Sequence, residues 1–314
     1  MLLATPTEIR PANESRTVSL TNSICPACSH GVMEPFIDLG FLPVQVGARY
    51  STAEAARTCP RGRIHLAFCP TCAFVTNITF SPDRLDYSSP YDNDLSASAV
   101  YRDYEQSQAR RLVETYGIRR KRVLEIGCGS GSFLRALCAV GDNRGFGYDP
   151  SLEKPGVVAD ERIEFVSDYY PGLGGPRRAD LIVCRQVFEH VPSPLEFLIG
   201  LRATLNDSPD TILFFEVPSF DDVLRRSTFW TIIFEHCCYF GRESLAGIFE
   251  RSGFEVCNMM DCYENTFLGI EVKPTRGGMT RSASRGDVGL SMSERVMTFL
   301  IQFEEKMSLW RRQM

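Results

Sequence analysis

Residues 123–133 read VLEIGCGSGSF, and this stretch decides the fold. A short strand-like run leads into three glycines at alternate positions, Gly127, Gly129 and Gly131, and an apolar helical segment follows. Glycine lets the backbone turn sharply and approach a ligand closely, while the N-terminus of the next helix offers free N–H donors. The G-x-G-x-G spacing differs from the G-x-G-x-x-G pattern of dinucleotide sites. Because Glu125 stands where a carboxylate can receive an ammonium group, the stretch predicts a cationic cofactor.

Acidic residues after the next two predicted strands extend this site. GFGYDP places Asp149 about twenty residues beyond the glycines, where a carboxylate can accept hydrogen bonds from ribose hydroxyls. FVSDYY places Asp168 after the third strand, within reach of an adenine amino group. Arg185, at the end of the fourth strand, is a further candidate for cofactor binding. Each acid alone can also be a solvated strand end, but three acids at successive strand ends favour a nucleoside site.

Strand-like and helical runs alternate from RVLEIG to TILFFEV, which is typical of parallel strands joined by helical crossovers. FEVCNMMDCY and TFLGIEVKP then suit an antiparallel pair. The predicted fold is therefore an α/β, doubly wound sheet that ends in a hairpin.

Two cysteine pairs precede this domain: CPAC holds Cys25 and Cys28, and CPTC holds Cys69 and Cys72. Two C-x2-C knuckles supply four thiolates, the pattern of a structural zinc site. A redox pair is the alternative. Three nearby residues could substitute as ligands, although the paired cysteines are favoured: His30, Cys59 and His65.

Length and composition set further bounds. The chain has 314 residues, 44% of them hydrophobic, and a net charge of −5, so it can bury a large core and has no general attraction for nucleic acid. No basic segment precedes a long apolar run at the N-terminus, and every apolar run ends short of the ~18 residues that a membrane span needs. We therefore expect a cytoplasmic protein with neither a membrane nor a nucleic-acid partner.

Over residues 95–273 the glycine stretch, the acids and the order of elements resemble the class I S-adenosylmethionine-dependent methyltransferases. The resemblance implies a mostly parallel, seven-stranded sheet and S-adenosylmethionine as cofactor. It also implies that Glu125 and Gly127 hold the methionine end, Asp149 the ribose and Asp168 the adenine edge.

A zinc module before such a domain raises the alternative of an RNA enzyme. Residues 1–80 hold six arginines against five acids, a net of plus one, whereas a phosphate-tracking surface has a clear basic excess. The fourth strand ends in CRQVFEH and not in the Asn/Asp-Pro-Pro-aromatic tetrapeptide of enzymes that methylate base amino groups. RNA is thus a minor alternative.

Residues 22–273 resemble a narrower family, the zinc-containing sugar C-methyltransferases of deoxysugar biosynthesis. CPAC with FIDLGFLPVQ, LDYSSPY, HVPSPLEFL, EVPSF and EHCCYF occur in that family's order. The resemblance implies a nucleotide-linked keto sugar as substrate and His236 as the base that forms its enolate. Histidine suits this task because its usual pKa lies near neutrality. Four other residues are expected to orient the base, line the site or stabilise the oxyanion: Glu235, His190, Tyr87 and Tyr91.

The pattern departs from the family at Ile233 and Phe234, which stand where the family has Tyr-His and remove a phenol and an imidazole. Structural roles for His236 and His190 stay open. One alternative function is O- or N-methylation of another small natural product, with His236 deprotonating the acceptor. Another is a non-catalytic S-adenosylmethionine-binding partner, since we expect the second α/β domain usual in this family to be absent.

The predicted organisation is a leader over residues 1–21, a zinc-binding module over 22–80, a methyltransferase domain over 81–273, a linker over 274–290 and an amphipathic helix over 291–314. Ser291 and Glu294 form a capping-box pattern at the start of that helix. Its apolar stripe comprises Val296, Phe299, Leu300, Phe303, Met307 and Trp310. Such a stripe needs a partner surface. We expect the chain to end before supplying one, so either the chain is a truncated piece or the helix meets a partner, for which self-association with a second copy is the candidate.

Overall fold

The computed structural model describes residues 23–85, 95–152, 156–157, 162–171, 178–276 and 291–313. The expected leader and most of the expected linker lie outside these residues. The strands are β1 (Glu34–Pro43), β2 (Arg61–Phe68), β3 (Val75–Asn77), β4 (Arg122–Ile126), β5 (Arg144–Tyr148), β6 (Gly156–Val157), β7 (Ile163–Val166), β8 (Leu181–Arg185), β9 (Ile212–Pro218), β10 (Cys238–Tyr239), β11 (Phe254–Cys262) and β12 (Phe267–Pro274). The α-helices are α1 (Ala53–Arg57), α2 (Ala99–Tyr116), α3 (Ser132–Gly141), α4 (Pro194–Thr204), α5 (Phe220–Arg226), α6 (Arg242–Arg251) and α7 (Met292–Gln313).

The large sheet has the order β11-β12-β9-β8-β4-β5-β7-β6. Strands β9, β8, β4, β5 and β7 are parallel, while β12 runs antiparallel to both of its neighbours. The predicted doubly wound, mostly parallel sheet with a terminal antiparallel pair is confirmed. Besides the seven expected strands, the two-residue β6 pairs antiparallel with the edge of β7.

The central strands read as continuous apolar runs because both of their faces are covered. All five residues of β8 are buried, as are six of the seven in β9. Strands covered on both faces lose the alternation of a half-exposed strand. Strands β8 and β9 lie near the middle of the sheet, with β8 beside β4, and the carboxyl ends of β8, β4, β5 and β7 carry the site described below.

A second, smaller sheet has the order β1-β2-β3-β10 and is antiparallel throughout. Its first three strands come from the cysteine-rich N-terminal part of the chain. Its fourth strand, β10, belongs to the segment of residues 229–240. The N-terminal module is therefore completed by a strand from the other part of the protein.

Helix α2 covers one face of the large sheet and begins and ends at local signals. The Ser98 side chain accepts a hydrogen bond from the Tyr101 amide at 3.4 Å. At the other end Gly117 has a left-handed φ of 61° and its amide donates to the Val113 carbonyl. The predicted helix end at Gly117 is confirmed. Glycine adopts this left-handed conformation at little cost, which favours it at the end of a helix.

Helix α7 begins with the predicted capping box. The Ser291 amide donates to the Glu294 carboxylate at 2.7 Å, and the Glu294 amide donates to the Ser291 hydroxyl at 3.3 Å. This reciprocal pair satisfies two amides that the helix itself leaves without acceptors. None of the described helices is long and apolar enough to cross a membrane.

The expectation that α7 lacks a partner surface within the chain is wrong. Val296 and Phe299 are buried in a cluster that includes residues of α5 and of the small sheet. The Trp310 ring lies 5.3 Å from the Phe229 ring, and the Lys306 ammonium donates to the Ser227 carbonyl at 3.2 Å. The sequence could not reveal this surface, because it exists only after α5 and the small sheet have packed together.

We predict that Asn143→Ala lowers the free energy of unfolding by about 2–4 kcal/mol. Asn143 is fully buried, and its side chain accepts from the Lys121 amide at 3.0 Å and donates to the carbonyls of Ile118 and Leu137 at 3.0 and 2.9 Å. Removing it leaves three backbone groups without their partner. Denaturant titration measures the loss. The exposed Asn206→Ala serves as control and should change stability by less than ~0.5 kcal/mol; equal values for the two variants would contradict the argument.

Candidate active site

The glycine-rich turn after β4 has the tight geometry that its sequence predicts. Gly127, Gly129 and Gly131 have φ angles of 72°, 50° and 78°, a region that favours glycine. A Cβ atom on Gly127 would lie 2.1 Å from the Val187 side chain. The Gly127 amide donates to the Tyr148 carbonyl at 2.7 Å, which ties the turn to the end of β5. Because these three residues are glycines, the backbone of the turn lies at the carboxyl end of the sheet without side chains of its own that would block a ligand.

Glu125 lies beneath this turn, in the last part of β4, and is 3% exposed. Its Oε2 atom has no hydrogen-bond partner among the described residues. Burial raises the pKa of this carboxyl to about 8, and the nearby Arg185 partly offsets the rise. A buried carboxyl with an unsatisfied oxygen fits a ligand that brings a positive charge.

Asp149 follows β5 and is also buried, at 8% exposure. Its carboxylate accepts from the Gly129 amide at 2.7 Å and from the Ser151 amide at 2.8 Å. These bonds fix the carboxylate against the glycine turn, and a carboxylate has about four acceptor positions in all. Asp168 follows β7, is exposed, and accepts from the Tyr169 amide at 2.7 Å.

The sheet register brings these acids to one edge. Ile126 pairs with Tyr148, and Tyr148 pairs with Val166, so β4, β5 and β7 end side by side. The structure therefore places Glu125, Asp149 and Asp168 at successive strand ends on the same edge, as the sequence predicted.

Arg185 ends β8 and sits in a buried ionic network. Its guanidinium contacts the Glu105 carboxylate at 3.0 Å and the Glu216 carboxylate at 3.2 Å, and it donates to the Tyr101 hydroxyl at 3.0 Å. It also lies 4.1 Å from the centre of the Phe133 ring. Arg185 could be named from the sequence, but its two acidic partners could not, because they lie in α2 and β9 and no local pattern links them to it.

Two histidines meet beyond the end of β8. His190 ends a short 3-10 helix, Phe188–His190, and its ring centre lies 4.9 Å from that of His236 in an edge-to-face arrangement. His190 Nδ1 lies 2.9 Å from the Glu235 carbonyl oxygen, and His236 Nδ1 lies 2.8 Å from the Thr231 carbonyl oxygen. A carbonyl only accepts, so each Nδ1 carries the proton and each Nε2 carries the lone pair.

The surroundings make both imidazoles weak bases in isolation. Burial lowers the pKa of His190 to about 4. Burial, and then the neighbouring His190, lowers the pKa of His236 to about 3. The expectation of a base with a near-neutral pKa therefore does not hold for the His236 ring alone, since a charged imidazolium is costly without water or a counter-charge.

Glu189 is the one residue of this cluster that was not predicted from the sequence. It is 2% exposed, and one carboxylate oxygen lies within 4.8 Å of a ring nitrogen of each histidine. Neither carboxylate oxygen has a hydrogen-bond partner in the described part of the chain. Burial raises the pKa of this carboxyl to about 8. The Glu-His pair in CRQVFEH was the available signal, but nothing in the sequence showed that His236 would join it.

Glu235 contributes differently from the expectation. Its carbonyl accepts from His190, and its carboxylate Oε2 accepts from the Val46 amide at 3.2 Å. The group that orients the His236 ring is the Thr231 carbonyl. Tyr87 and Tyr91, the expected oxyanion donors, lie outside the described residues.

The four paired cysteines form a second cluster, away from the histidines in sequence. The sulfur atoms of Cys25, Cys28, Cys69 and Cys72 are buried and lie within 4.8 Å of one another. The Cys25–Cys72 and Cys28–Cys69 sulfur distances are 3.6 and 3.8 Å. A tetrahedral zinc ion with Zn–S bonds of ~2.3 Å would separate its sulfurs by about 3.8 Å, so the donor set fits zinc.

The backbone supports this arrangement. The Ala27 amide donates to the Cys25 sulfur at 3.4 Å, and the Gly31 amide donates to the Cys28 sulfur at 3.3 Å. Three residues considered as substitute ligands are not members of the cluster: His30, Cys59 and His65. The Arg251 side chain donates to the Ala27 carbonyl at 3.2 Å, so α6 touches the knuckle directly.

Comparison with known proteins identifies the larger domain. Residues 101–258 match the family described as Methyltransferase domain. C-methyltransferase NovU of Streptomyces niveus is 33% identical over 143 residues, which are 44% of this chain and 33% of that protein. A ubiquinone biosynthesis O-methyltransferase of Actinobacillus pleuropneumoniae serotype 7 (strain AP76) is 30% identical over 125 residues, 36% of this chain and 50% of that protein. The matches thus span a third to a half of these relatives.

A solved structure of Burkholderia thailandensis 1,6-didemethyltoxoflavin-N1-methyltransferase with bound 1,6-didemethyltoxoflavin and S-adenosylhomocysteine has a TM-score of 0.44 and 18% identity, covering 58% of this chain and 83% of that one.

The family match covers 158 of the 314 residues and contains the glycine turn, Asp149 and both site histidines. The chain therefore belongs to the Methyltransferase domain family, and residues 101–258 are an S-adenosylmethionine-dependent methyltransferase domain.

Proposed function

We propose that the protein methylates carbon in a nucleotide-activated keto sugar. The observation that carries the proposal is the His236 imidazole, which the Thr231 carbonyl holds in the tautomer with the lone pair on Nε2, beside Glu189 and His190. The likeness to a C-methyltransferase supports the same reaction type. The family resemblance of the surrounding motifs supports a sugar substrate and a role in deoxysugar or other natural-product biosynthesis.

In the proposed reaction His236 removes a proton from the carbon beside the substrate's carbonyl. The C–H electron pair moves into the enolate; the enolate carbon would then bond to the cofactor's methyl group while the methyl–sulfur bond breaks and its electron pair stays on the cofactor's sulfur. The proton stays on His236 Nε2, while Nδ1 keeps its own proton on the Thr231 carbonyl. Tyr87 or Tyr91 donates to the developing oxyanion. His190 lines the same site, and Glu235 holds its ring through the backbone carbonyl.

The residues at the strand ends hold the cofactor, which supplies an electrophilic methyl group when bound. Glu125 receives its ammonium group and Asp149 its ribose hydroxyls, and Asp168 faces the adenine edge. The glycine turn allows the close approach. Arg185 supports this site indirectly. Its ion pairs with Glu105 in α2 and Glu216 in β9 hold α2 against the sheet.

The four cysteines hold a structural zinc ion in the proposed organisation. With four protein ligands a tetrahedral ion has no open position, so its contribution is to folding. The domain limits stay as proposed from the sequence: the zinc module over 22–80 and the methyltransferase domain over 81–273, in a cytoplasmic protein. Self-association would use the exposed side of α7, where Met297 and Ile301 lie.

O-methylation of a small molecule is the second candidate function, favoured by the 30% identity to a ubiquinone biosynthesis O-methyltransferase. His236 would then remove a proton from a hydroxyl group. A non-catalytic role is disfavoured because the glycine turn, the strand-end acids and the half-buried histidine pair are all in place.

Incubation of S-adenosylmethionine with a panel of nucleotide-linked keto sugars tests the proposed reaction. Mass spectrometry should show a gain of one CH2, and NMR should place the new methyl on carbon. We expect His236→Ala to lower the rate ~10²–10⁴-fold, because it removes the positioned base. The exposed His30→Ala is the control and should keep full activity. A methyl on oxygen would replace the proposal with the second candidate, and undiminished activity of His236→Ala would remove the assigned base.

Binding of S-adenosylmethionine at pH 7 should release close to one proton from Glu125. The pKa of this carboxyl is raised to about 8, so it is mostly protonated at pH 7, and a bound cation favours the ionised form. Calorimetry in buffers of different ionisation enthalpy measures the release. Glu125→Gln should bind without this release. Asp149→Asn should keep the release but bind roughly tenfold or more weakly; equal proton release in Glu125→Gln would show that another group is responsible.

Freshly purified protein should contain about one zinc per chain by elemental analysis. We expect Cys72→Ser to lose the metal and much stability, since structural zinc supplies on the order of 10 kcal/mol to folding. Cys257 is exposed and outside the cluster, so Cys257→Ser is a matched control that should retain zinc and its Tm. A zinc-free wild type with native stability would refute the site.

A further inference from the structure

We propose that Glu189 acts through His236: its carboxylate balances the proton that the imidazole takes from the substrate, so that Glu189, His190 and His236 gain one proton as a unit. The inference rests on the proposed function, because it explains how the assigned base works. It assigns Glu189 a role in positioning charge and not in touching the substrate.

The geometry of the cluster carries this inference. Glu189 and His190 are consecutive residues of the 3-10 helix after β8, and His236 comes from the segment before β10. One carboxylate oxygen and one nitrogen from each ring lie within 4.8 Å of one another. The carboxylate is buried, and both of its oxygens lack a hydrogen-bond partner among the described residues. Buried polar groups in native proteins are nearly always satisfied, so this exception calls for a role.

The backbone holds the two segments at this distance. The Cys237 thiol donates to the Glu189 carbonyl at 3.4 Å, and the Cys238 thiol donates to the Val191 carbonyl at 3.2 Å. Each bond joins a residue just after His236 to the turn that carries Glu189. These contacts keep the backbone of the turn that carries Glu189 next to the segment that carries His236.

Charge balance explains the need for a carboxylate. An isolated His236 ring would form an imidazolium in a desolvated site, and its pKa is lowered accordingly. An anion within about 5 Å favours the charged ring strongly at low dielectric. Conversely, a buried Glu189 resists ionisation, and the pKa of its carboxyl is raised to about 8. An ionised Glu189 beside a protonated His236 costs less than either charge buried alone, because each charge offsets the other.

The proton count is simple. Before the reaction the active form has an ionised Glu189 and two neutral histidines. His236 Nε2 takes the substrate proton, the C–H electron pair enters the enolate, and the cluster becomes neutral overall. The ionised form of Glu189 predominates only above its pKa, so activity should rise as the pH increases through about 8.

Two titratable neighbours of the cluster, Cys238 and Tyr239, do not supply this charge. Cys238 and Tyr239 have pKa values raised well above their usual range by burial, so both stay neutral. The Tyr239 hydroxyl donates to the Ile233 carbonyl at 3.2 Å. The Glu235 carboxylate accepts from the Val46 amide on the N-terminal side. Glu216 acts on Glu189 at longer range and raises its pKa further.

Imidazole NMR tests the inference without any substrate. The protein has four histidines, so each can be assigned. In the wild type the His236 ring signals should show a titration step near pH 8, when Glu189 ionises. Glu189→Gln should abolish that step, whereas Glu189→Asp and the exposed Glu243→Gln should keep it. An unchanged step in a folded Glu189→Gln variant would overturn the assignment.

Enzyme kinetics provide the second readout. If the wild type methylates a keto sugar, its kcat/KM should rise with pH through about 8, and Glu189→Gln should lose both this pH dependence and roughly 10²-fold in rate. Glu189→Asp should retain the pH dependence. A Glu189→Gln variant with the wild-type profile would overturn the inference. A wild type that accepts no keto sugar would sink the proposed function instead, and the NMR result would still decide the role of Glu189.

Metal analysis separates this arrangement from a metal centre made of the same residues. Only the zinc assigned to the cysteines is expected, in the wild type and in Glu189→Gln alike. A second equivalent of a divalent metal in the wild type, lost in Glu189→Gln, would overturn the proton-sharing role, because a bound cation would occupy the nitrogen lone pairs.

Discussion

The pairing of β10 with β3 is the interaction on which the candidate site depends. Two residue pairs form the ladder, Cys238 with Thr76 and Tyr239 with Val75. The Thr76 hydroxyl also donates to the Cys237 carbonyl at 2.7 Å. These bonds fix the backbone immediately after His236, and the thiols of the same short stretch fix it to the turn after β8. The imidazole is thus positioned by the small sheet on one side and by the large sheet on the other.

Features with a local physical cause could be predicted from the sequence. The glycine turn after β4 follows from the need for left-handed φ angles, and the end of α2 at Gly117 follows from the same property. The four-cysteine cluster follows from the spacing within each pair. The acids at the strand ends meet because parallel strands of a doubly wound sheet present their carboxyl ends at one edge.

Features that depend on which distant segments meet could not be predicted in this way. β10 has two residues, too few to show a strand period, and its partner is 162 positions earlier in the chain. Glu105 and Glu216 form ion pairs with Arg185 only when α2 and β9 lie next to β8. The surface that receives α7 is likewise built from separate segments. The sequence around Glu189 contains no pattern that predicts its burial beside two imidazoles.

The late arrival of β10 has a consequence for the order of folding during synthesis. The cysteine pairs and the first three strands of the small sheet leave the ribosome long before residue 238 is made. Until then β3 presents an open edge, and open edges invite pairing with other chains. Early metal capture by the cysteines would hold the nascent module compact through this interval. Completion of the small sheet therefore waits for a strand that is made much later in synthesis, within the other part of the protein.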